Sequence, residues 1–273
     1  MPLKSFHPPY LDDAMQSLGD QTCSAWRLLV IADEADMKRV STALGPWLVD
    51  GRIRVVANEG RRLAGAINTG MRRATTEFVA LLFGDDLWAP EAVAVLSRHM
   101  ATSPQVDFFH SARRIIDDDS RPISGVHHAR HRVTLSHFFE GTPVKHLLCW
   151  RRTMALAIGG MDERSRSVGP DDLDFPWTMA EHGALFEAVD DCLYVYRDHR
   201  RTERLTTHLP LRTHVRELDR IYRKHGMPFR PRRARLDEDR RTFLRQCLYR
   251  SSLDRFLRGQ SGRTPPPWRD TYK

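Results

Sequence analysis

The chain has 273 residues, of which 41% are hydrophobic and 29% charged, so its composition suits a globular core and excludes wholesale disorder. Its longest apolar run, residues 78–83, is far shorter than the ~20 residues of a membrane-spanning helix, and no charged-then-apolar leader opens the chain, so we expect neither a transmembrane segment nor a secretory signal. The 4 cysteines are widely spaced and form no Cys-x-x-Cys pair, which argues against a zinc ribbon or a disulfide framework and predicts a cytoplasmic protein.

Up to residue 111, the sequence predicts strands that alternate with helices. Helices are predicted at residues 10–19, 36–49 and 63–74 and after Pro90, and strands at residues 26–32, 52–57, 76–83 and 106–111. This alternation is typical of an α/β domain with a largely parallel sheet flanked by helices. Ligands of such sheets bind at the carboxyl ends of the strands, where Asp33 and the pair Asp85-Asp86 are expected.

Beyond residue 116 the pattern is less regular. It predicts a loop with a hairpin edge at residues 117–132, strand and helix character at 144–157, a helix from Asp171 to about residue 182 and a last strand at 193–197. Helices are then predicted at residues 211–225 and 236–257, with Pro228 and Pro231 in the linker between them, before a mobile end from residue 264.

The net charge of +8 is concentrated at the C-terminal end. Residues 200–273 hold 21 Lys and Arg against 8 Asp and Glu, whereas the rest of the chain holds 22 against 27. Such a basic segment attracts polyanions, including nucleic acid, an anionic surface or a phosphorylated acceptor, and binding to lipid would place the protein at the inner membrane face. A solvated helical surface explains the same composition.

Asp85 and Asp86 follow a fully apolar predicted strand. Buried carboxylates are costly without a positive partner, and Mg²⁺ or Mn²⁺ is a cation that suits carboxylates. Mg²⁺ usually takes one or two protein carboxylates together with water and substrate phosphates, which this pair can accommodate. The alternative is a helix cap before Pro90, because Asp is common in turns and caps.

Two further groups of residues are candidates for a chemical role. The pair Asp171-Asp172 follows a glycine-rich stretch, and a carboxylate there can act as a general base that deprotonates an acceptor hydroxyl; capping of the next helix explains the same residues. His199 follows the predicted last strand and can ligate a metal through a neutral imidazole, although a histidine at such a position is also common on a polar surface.

The order of these motifs resembles glycosyltransferase family 2, whose members have the GT-A fold. The resemblance covers about residues 11–206. Its motifs are, in chain order, Leu11, Ala14, Ser17 and Leu18 with Gln21-Thr22, then Ala32-Asp33, Ala66-Ile67-Asn68-Thr69-Gly70, Asp85-Asp86 with Pro90, Gly159-Gly160-Met161-Asp162-Glu163, Asp171-Asp172, and Tyr196-Arg197-Asp198-His199. Each motif is short, and their common order carries the resemblance.

The resemblance implies that the chain transfers a sugar from a nucleotide-diphosphate sugar to an acceptor hydroxyl, with inversion and with a divalent metal, Mn²⁺ or Mg²⁺. It implies Asp172 as the general base, supported by Asp171, and Asp86 and His199 as metal ligands, with most of the metal contact on Asp86. The residues that it places at the nucleotide are Asp33, Arg62, Asn68 and Asp85.

Two positions depart from the family pattern. Phe83 stands where the metal motif usually begins with an acidic residue, so metal affinity or nucleotide preference is expected to differ. The family's first central strand would end near residues 1–4, so we expect that strand to be truncated, through a misassigned start or loss of part of the strand. An unfilled central position exposes backbone groups and destabilises a sheet.

We therefore predict a GT-A domain at residues 1–208 and a basic helical extension at residues 209–273. The leading hypothesis is the metal-dependent transferase. The alternative is a catalytically degenerate GT-A-like protein that binds nucleic acid or an anionic surface through its basic extension, which Phe83 and the truncated strand favour. A nucleotidyltransferase is a third possibility, but the chain lacks a Gly-rich, Lys-bearing phosphate loop near its N-terminus.

Overall fold

The computed structural model describes residues 1–166, 168–199 and 209–258. The chain divides into two compact units, Met1–Glu203 and Arg204–Lys273. The first unit contains helices packed with strands and confirms the predicted α/β class. The mobile end predicted from residue 264 lies outside the described residues, and the domain boundary at residue 208 stays a prediction.

The elements of the first unit follow one another in the predicted alternation. In chain order they are α1 (Pro8–Gly19), β1 (Leu28–Ala32), α2 (Met37–Ala43), β2 (Ile53–Ala57), α3 (Arg62–Arg73), β3 (Phe78–Leu81), β4 (Leu87–Trp88), α4 (Ala92–Thr102), β5 (Phe108–Ile116), α5 (Leu135–Phe139), β6 (Leu148–Arg151), α6 (Arg152–Ala157), α7 (Phe175–Glu181) and β7 (Phe186–Arg197). Leu11, Ala14, Met15 and Leu18 are buried, as the helical spacing of α1 predicts.

The described strands form a five-stranded sheet of order β3-β6-β5-β7-β4 and a separate parallel pair, β1 and β2. β5 and β7 are parallel, whereas β6 runs antiparallel between β3 and β5, and β4 runs antiparallel to β7. The sheet is mixed, whereas the sequence predicts a largely parallel one. It contains more antiparallel pairing than the predicted alternation indicates, because the chain reverses direction at β4 and β6.

Two of the predicted elements are interrupted locally. The helix predicted at residues 36–49 ends at Ala43, and a 3₁₀ turn, Gly45–Val49, follows it. Pro46 lies in that turn, and its missing N–H and its ring are incompatible with a continuing α-helix. The helix predicted from Asp171 begins with a π-helical turn, Pro170–Asp174, before α7.

Two other elements are longer than predicted. β7 begins at Phe186 instead of residue 193, because it pairs with β5 along most of its length. In the second unit, the helix predicted from residue 236 begins at Phe229, so Pro231 lies in its first turn and not in a linker. A first-turn proline gives up no intrahelical hydrogen bond, which is why the sequence tolerates it there.

Residues 1–3 lie beside β1 and pair with it through an isolated bridge. The Leu3 N–H donates to the Ile31 carbonyl at 2.8 Å, and the Ile31 N–H donates to the Met1 carbonyl at 2.8 Å. Pro2 forms a parallel bridge with Ile31. Met1 and Leu3 are buried, and burial lowers the pKa of the Met1 amine to about 5.

A small apolar cavity of about 30 Å³ lies between this short segment and β3. Its lining includes Met1 and Ile31 on one side and Val79 and Leu81 of β3 on the other. The described residues form no ladder between β1 and β3, so the two sheets remain separate at this point. Residues 1–3 thus lie beside β1 with a gap between them and β3, and the truncation expected from the family pattern stays a prediction.

Two apolar clusters form the core of the first unit. One contains the buried face of α1 together with β1 and residues of β5 and β7, and the other contains Trp150 and Phe175 packed with α3 and α6. The Trp150 ring lies 6.1 Å from the ring of Phe108 and 5.1 Å from that of Phe175, measured between centroids. The two clusters pack against opposite faces of the sheet.

His110 on β5 is also buried, at 1% exposure, and gives a prediction about pH and stability. Burial lowers its pKa to about 4. The unfolded chain binds the proton near pH 6.5, so the stability present above that pH is lost as the pH falls towards 4. Relative to His110→Leu, the wild type is expected to lose about 3 kcal/mol over that range.

Urea denaturation at pH 7.5, 6, 5 and 4 measures this loss. The exposed His128 provides the matched control: His128→Gln should follow the wild-type pH profile. Parallel profiles for His110→Leu and the wild type would contradict the assignment.

The second unit contains α8 (Leu211–Lys224) and α9 (Phe229–Arg258). The Tyr222 hydroxyl donates to Asp239 Oδ2 at 2.5 Å, and Arg235 pairs with the other oxygen of the same carboxylate at 2.5 Å. These contacts join the two helices at a polar network. Across the described part of the chain, every helix is too short or too polar to cross a membrane.

Candidate functional site

Asp85 and Asp86 lie in the turn between β3 and β4. Asp86 is 2% exposed, and both of its carboxylate oxygens accept hydrogen bonds. The Tyr194 hydroxyl donates to Oδ2 at 2.7 Å, and the Arg197 backbone N–H donates to Oδ1 at 2.7 Å. Burial, and then the charge of Asp85, raise the pKa of Asp86 to about 7. Asp86 therefore ties the turn to the end of β7.

Asp85 is more accessible, with 37% of its side chain exposed, and it is paired with His199. Its Oδ2 lies 2.8 Å from Nε2 of His199, whose side chain is fully buried against the ring of Tyr10. A carboxylate oxygen suits Mn²⁺ or Mg²⁺, and a neutral imidazole nitrogen is a common metal ligand. The described residues include no cluster of three or more potential metal ligands, so a cation here would take further ligands from water or substrate phosphates.

Arg197 is also fully buried, and its side chain contacts several elements around Asp85 and Asp86. Its Nη2 donates to Asp13 Oδ2 of α1 at 2.7 Å, its Nε donates to the Asp85 carbonyl at 3.0 Å, and its Nη1 donates to Ser120 Oγ at 2.8 Å. The guanidinium also lies 4.4 Å from the centre of the Tyr10 ring. One side chain thereby joins α1, the acidic turn and the loop after β5.

Asp171 and Asp172 lie in the π-helical turn that precedes α7. Asp171 is 7% exposed and accepts a hydrogen bond from His146, at 3.0 Å from Nε2 to Oδ2. Asp172 is half-buried. Burial, and then the charge of Asp171, raise the pKa of Asp172, whereas His146 and Arg113 act in the opposite direction. The two carboxylates therefore differ: one is held by a histidine and the other is more accessible.

His146 connects the two acidic groups. Besides its contact with Asp171, its ring lies 5.3 Å from the ring of Tyr194 and 5.7 Å from that of Phe83, measured between centroids. Tyr194 in turn donates to Asp86. This chain of contacts places the pair Asp171-Asp172 beside the turn that carries Asp85 and Asp86.

Asp33 lies just beyond β1 and contacts a residue that follows β2. The Asn58 side-chain amide donates to Asp33 Oδ1 at 3.0 Å, and the Asn58 backbone N–H donates to the Ala32 carbonyl at 2.7 Å. Asn58 Oδ1 also accepts from the Gly60 N–H at 3.0 Å. The ends of the two parallel strands are therefore joined in a polar rim, as the strand-end argument predicts for Asp33.

Asn68 fastens α3 to the glycine-rich motif. Its amide donates to the Met161 carbonyl at 2.9 Å and to Glu163 Oε1 at 3.0 Å, and its Oδ1 accepts from the Met161 N–H at 2.8 Å. Gly160 has a φ of +73°, and a Cβ there would lie 2.4 Å from Asn68 Oδ1, so only glycine fits. Arg62 is exposed at the start of α3, and its predicted nucleotide contact, like that of Asn68, stays a prediction.

The structure thus brings Asp85, Asp86 and His199 together and places Asp171-Asp172 next to them, whereas Asp33, Arg62 and Asn68 lie around β1, β2 and α3. The catalytic, metal and nucleotide roles of all these residues stay predictions. Sequence reasoning missed Asn58, His146 and Tyr194, and it noted Arg197 only as a motif member. Asn58 could have been found from its position just after β2, where ligand-binding residues are expected, whereas no local sequence pattern marks His146 as part of the site.

Comparisons with known proteins agree with this architecture. The family model described as Glycosyl transferase family 2 matches residues 5–159, more than half of the chain. The chain is 29% identical over 108 residues to UDP-Glc:alpha-D-GlcNAc-diphosphoundecaprenol beta-1,3-glucosyltransferase WfgD of Escherichia coli, covering 39% of this chain and 42% of that protein. It is 25% identical over 167 residues to a glycosyltransferase of Haemophilus influenzae, covering 59% and 54%. The chain thus spans about half the length of these relatives.

Solved structures show the same fold at low sequence identity. TarS 1–349 of S. aureus, in complex with UDP-GlcNAc, superposes with a TM-score of 0.62 at 15% identity, covering 89% of this chain and 70% of that one. The mannosyltransferase PcManGT of Pyrobaculum calidifontis, in complex with GDP-Man and Mn²⁺, superposes with a TM-score of 0.59 at 19% identity, covering 88% and 68%. The predicted GT-A fold is confirmed.

Proposed function

Because the chain belongs to glycosyltransferase family 2, we propose that it transfers a sugar from a nucleotide-diphosphate sugar to an acceptor hydroxyl with inversion. The observation that carries this proposal is the placement of Asp171-Asp172 beside the Asp85–His199 pair, through His146 and Tyr194. The pair Asp171-Asp172 suits proton removal from the acceptor, and the Asp85–His199 pair suits binding of the donor's diphosphate. A catalytically degenerate protein has no need of both.

Asp172 is the proposed general base. Asp171 is engaged by His146, whereas Asp172 is the more accessible of the pair and its pKa is raised, which improves its ability to accept a proton. Asp172 takes the proton from the acceptor hydroxyl as that oxygen attacks the anomeric carbon. The bond from the acceptor oxygen to that carbon forms as the bond to the diphosphate oxygen breaks, and the nucleoside diphosphate leaves.

We infer that Asp85 and His199 would hold the divalent cation, Mn²⁺ or Mg²⁺. Asp85 is partly exposed and already lies 2.8 Å from the histidine nitrogen, whereas both oxygens of Asp86 are occupied by Tyr194 and Arg197. This proposal revises the expectation that Asp86 carries most of the metal contact. When bound, the cation would neutralise charge on the departing diphosphate. Asp33 and Asn58 are proposed to contact the nucleotide at the rim.

A thermal-shift screen tests the function. UDP-, GDP- and dTDP-sugars are added to the full chain with and without Mn²⁺, and at least one is expected to raise the melting temperature in a metal-dependent way, because ligands that bind only the native state stabilise it. The alternative function receives a parallel titration with an RNA oligomer at varied salt. If no nucleotide sugar shifted the melting temperature and the chain bound RNA tightly and in a salt-sensitive way, the polyanion-binding function would replace the transferase function.

The pH dependence of transfer follows from Asp172. A base must be deprotonated, so kcat/KM falls as the pH falls through its pKa. That pKa is raised to about 6. The acidic limb, which is the fall of kcat/KM at low pH, is therefore expected near pH 6 instead of near pH 4, the usual region for Asp. Asp171→Asn removes the neighbouring negative charge and should move the limb to lower pH, which a pH series with saturating donor measures.

The exposed Asp190 of β7 provides the control for this series, because Asp190→Asn changes charge by the same amount away from the pair. Its limb should coincide with that of the wild type. A wild-type limb near pH 4, or one that Asp171→Asn leaves in place, would count against Asp172 as the titrating base.

A further inference from the structure

A group of basic side chains adjoins the proposed base without carboxylate partners. Arg113 on β5, Lys145 before β6 and Arg130 in the intervening loop make no ion pair with any carboxylate of the described residues. Lys145 Nζ donates to the His128 carbonyl at 2.9 Å and to no other acceptor in the described part of the chain. Arg113 Nε is buried and has no hydrogen-bond partner among the residues that the structure describes, and its guanidinium lies 5.3 Å from the centre of the Tyr196 ring.

The loop after β5 connects Arg113 and Lys145. The Arg113 N–H donates to the His127 carbonyl at 3.0 Å, and the His127 N–H donates to the Arg113 carbonyl at 2.7 Å. Lys145 Nζ donates to the carbonyl of the next residue, His128, at 2.9 Å, so both basic residues contact the same two-residue segment. Burial, and then the charges of Arg113 and Arg130, lower the pKa of Lys145, which agrees with this proximity.

These cations lie on the side of the proposed base. Arg113 is in register with Tyr194, so both side chains project from the same face of the sheet, and the Tyr194 hydroxyl reaches Asp86. Arg113 also lowers the pKa of Asp172 through its charge. Lys145 is adjacent in sequence to His146, which holds Asp171. The cluster therefore borders the place where an acceptor hydroxyl would approach Asp172.

Partly buried like charges repel one another and lose solvation, and a bound anion relieves both costs. A guanidinium offers a planar fork of N–H donors that matches phosphate oxygens, and an ammonium adds a point charge. A carboxylate ligand is the less suitable partner here, because a phosphate group has more acceptor oxygens and satisfies more of these donors.

We propose that Arg113 and Lys145, with Arg130 at the rim, bind a phosphate group of the acceptor, so that the acceptor is a phosphate-bearing molecule whose hydroxyl is presented to Asp172. The assignment of this phosphate to the acceptor rests on the proposed function. The donor's diphosphate is the other source of the same chemistry, and it is expected at the Asp85–His199 pair instead.

Calorimetric titration of the full chain tests the site, with glycerol 3-phosphate as the probe and glycerol as its neutral counterpart. The donor site is first saturated with UDP and Mg²⁺. Arg113→Gln and Lys145→Gln are each expected to weaken glycerol 3-phosphate binding about tenfold or more, the usual effect of losing a charge-assisted hydrogen bond. Lys145→Arg should restore much of the affinity. The exposed neighbour Arg114 supplies the control, since Arg114→Gln should bind like the wild type.

A second titration measures UDP itself with each variant. Unchanged UDP affinity, together with weakened glycerol 3-phosphate binding, supports an acceptor site. A parallel loss of UDP affinity would assign these cations to the donor diphosphate. Equal binding of glycerol 3-phosphate by the wild type and the Gln variants, or no binding by the wild type, would reduce the cluster to a counter-charge for Asp171 and Asp172 and overturn the proposal.

These outcomes are separable from failure of the proposed function. If the wild type binds no nucleotide, the transferase proposal fails, whereas the titration with glycerol 3-phosphate in the absence of nucleotide still decides whether Arg113 and Lys145 form an anion site.

Discussion

Asp172→Asn is expected to lower kcat for sugar transfer by about 10²–10⁴-fold, the usual contribution of a positioned general base. Asparagine has nearly the same shape as aspartate but cannot accept the acceptor's proton at neutral pH. Affinity for the donor nucleotide should change little, because the role proposed for Asp172 is at the acceptor, whereas the donor's diphosphate is expected at the Asp85–His199 pair. Single-turnover transfer assays measure the first quantity, and calorimetry with UDP or GDP and Mn²⁺ measures the second.

Two variants sharpen this test. Asp171→Asn leaves the base in place, and it should reduce kcat less than Asp172→Asn does, since Asp171 is held by His146. Asp190→Asn, at an exposed position of β7, should leave transfer unchanged. Full turnover by Asp172→Asn would remove Asp172 as the base, and equal losses in the two pair variants would show that the carboxylates act as one unit.

Arg197→Leu is expected to cost about 1.5–3 kcal/mol of unfolding free energy, the range for a lost hydrogen bond to a charged group, because the ion-pair partner Asp13 is 46% exposed and can be solvated. The side chain is fully buried, and its loss leaves Asp13 Oδ2, the Asp85 carbonyl and Ser120 Oγ without their donor. Because α1 and the acidic turn lose their common anchor, nucleotide affinity should also fall. Chemical denaturation and nucleotide titration of the variant measure the two effects.

The matched control for Arg197→Leu is Arg39→Leu. Arg39 pairs with Asp36 on the surface, and exposed pairs contribute little because water screens them. Its variant should be only slightly less stable than the wild type. If Arg197→Leu were no more destabilising than Arg39→Leu, the Arg197 contacts would not stabilise the turn that carries Asp85 and Asp86.

The local patterns of the sequence were sufficient for most of the fold. The buried face of α1 follows from helical spacing, and β3 follows from a continuous apolar run that ends just before the acidic turn. The shortened α2 and the early start of α9 were mispredicted, because each depends on how one proline, Pro46 or Pro231, fits a local turn. The extra length of β7 depends on its pairing with β5, which no local pattern records.

The candidate site divides in the same way. The sequence by itself determined which carboxylates follow strands and which motifs occur in the family's order, because these are properties of neighbouring residues. Only the tertiary structure decided that Asp86 is occupied by Tyr194 and Arg197 while Asp85 remains accessible beside His199. Arg197 meets Asp86 across 111 positions of the chain and Asp13 across 184. Contacts of that separation arise from packing of whole elements, so no local window of the sequence contains them.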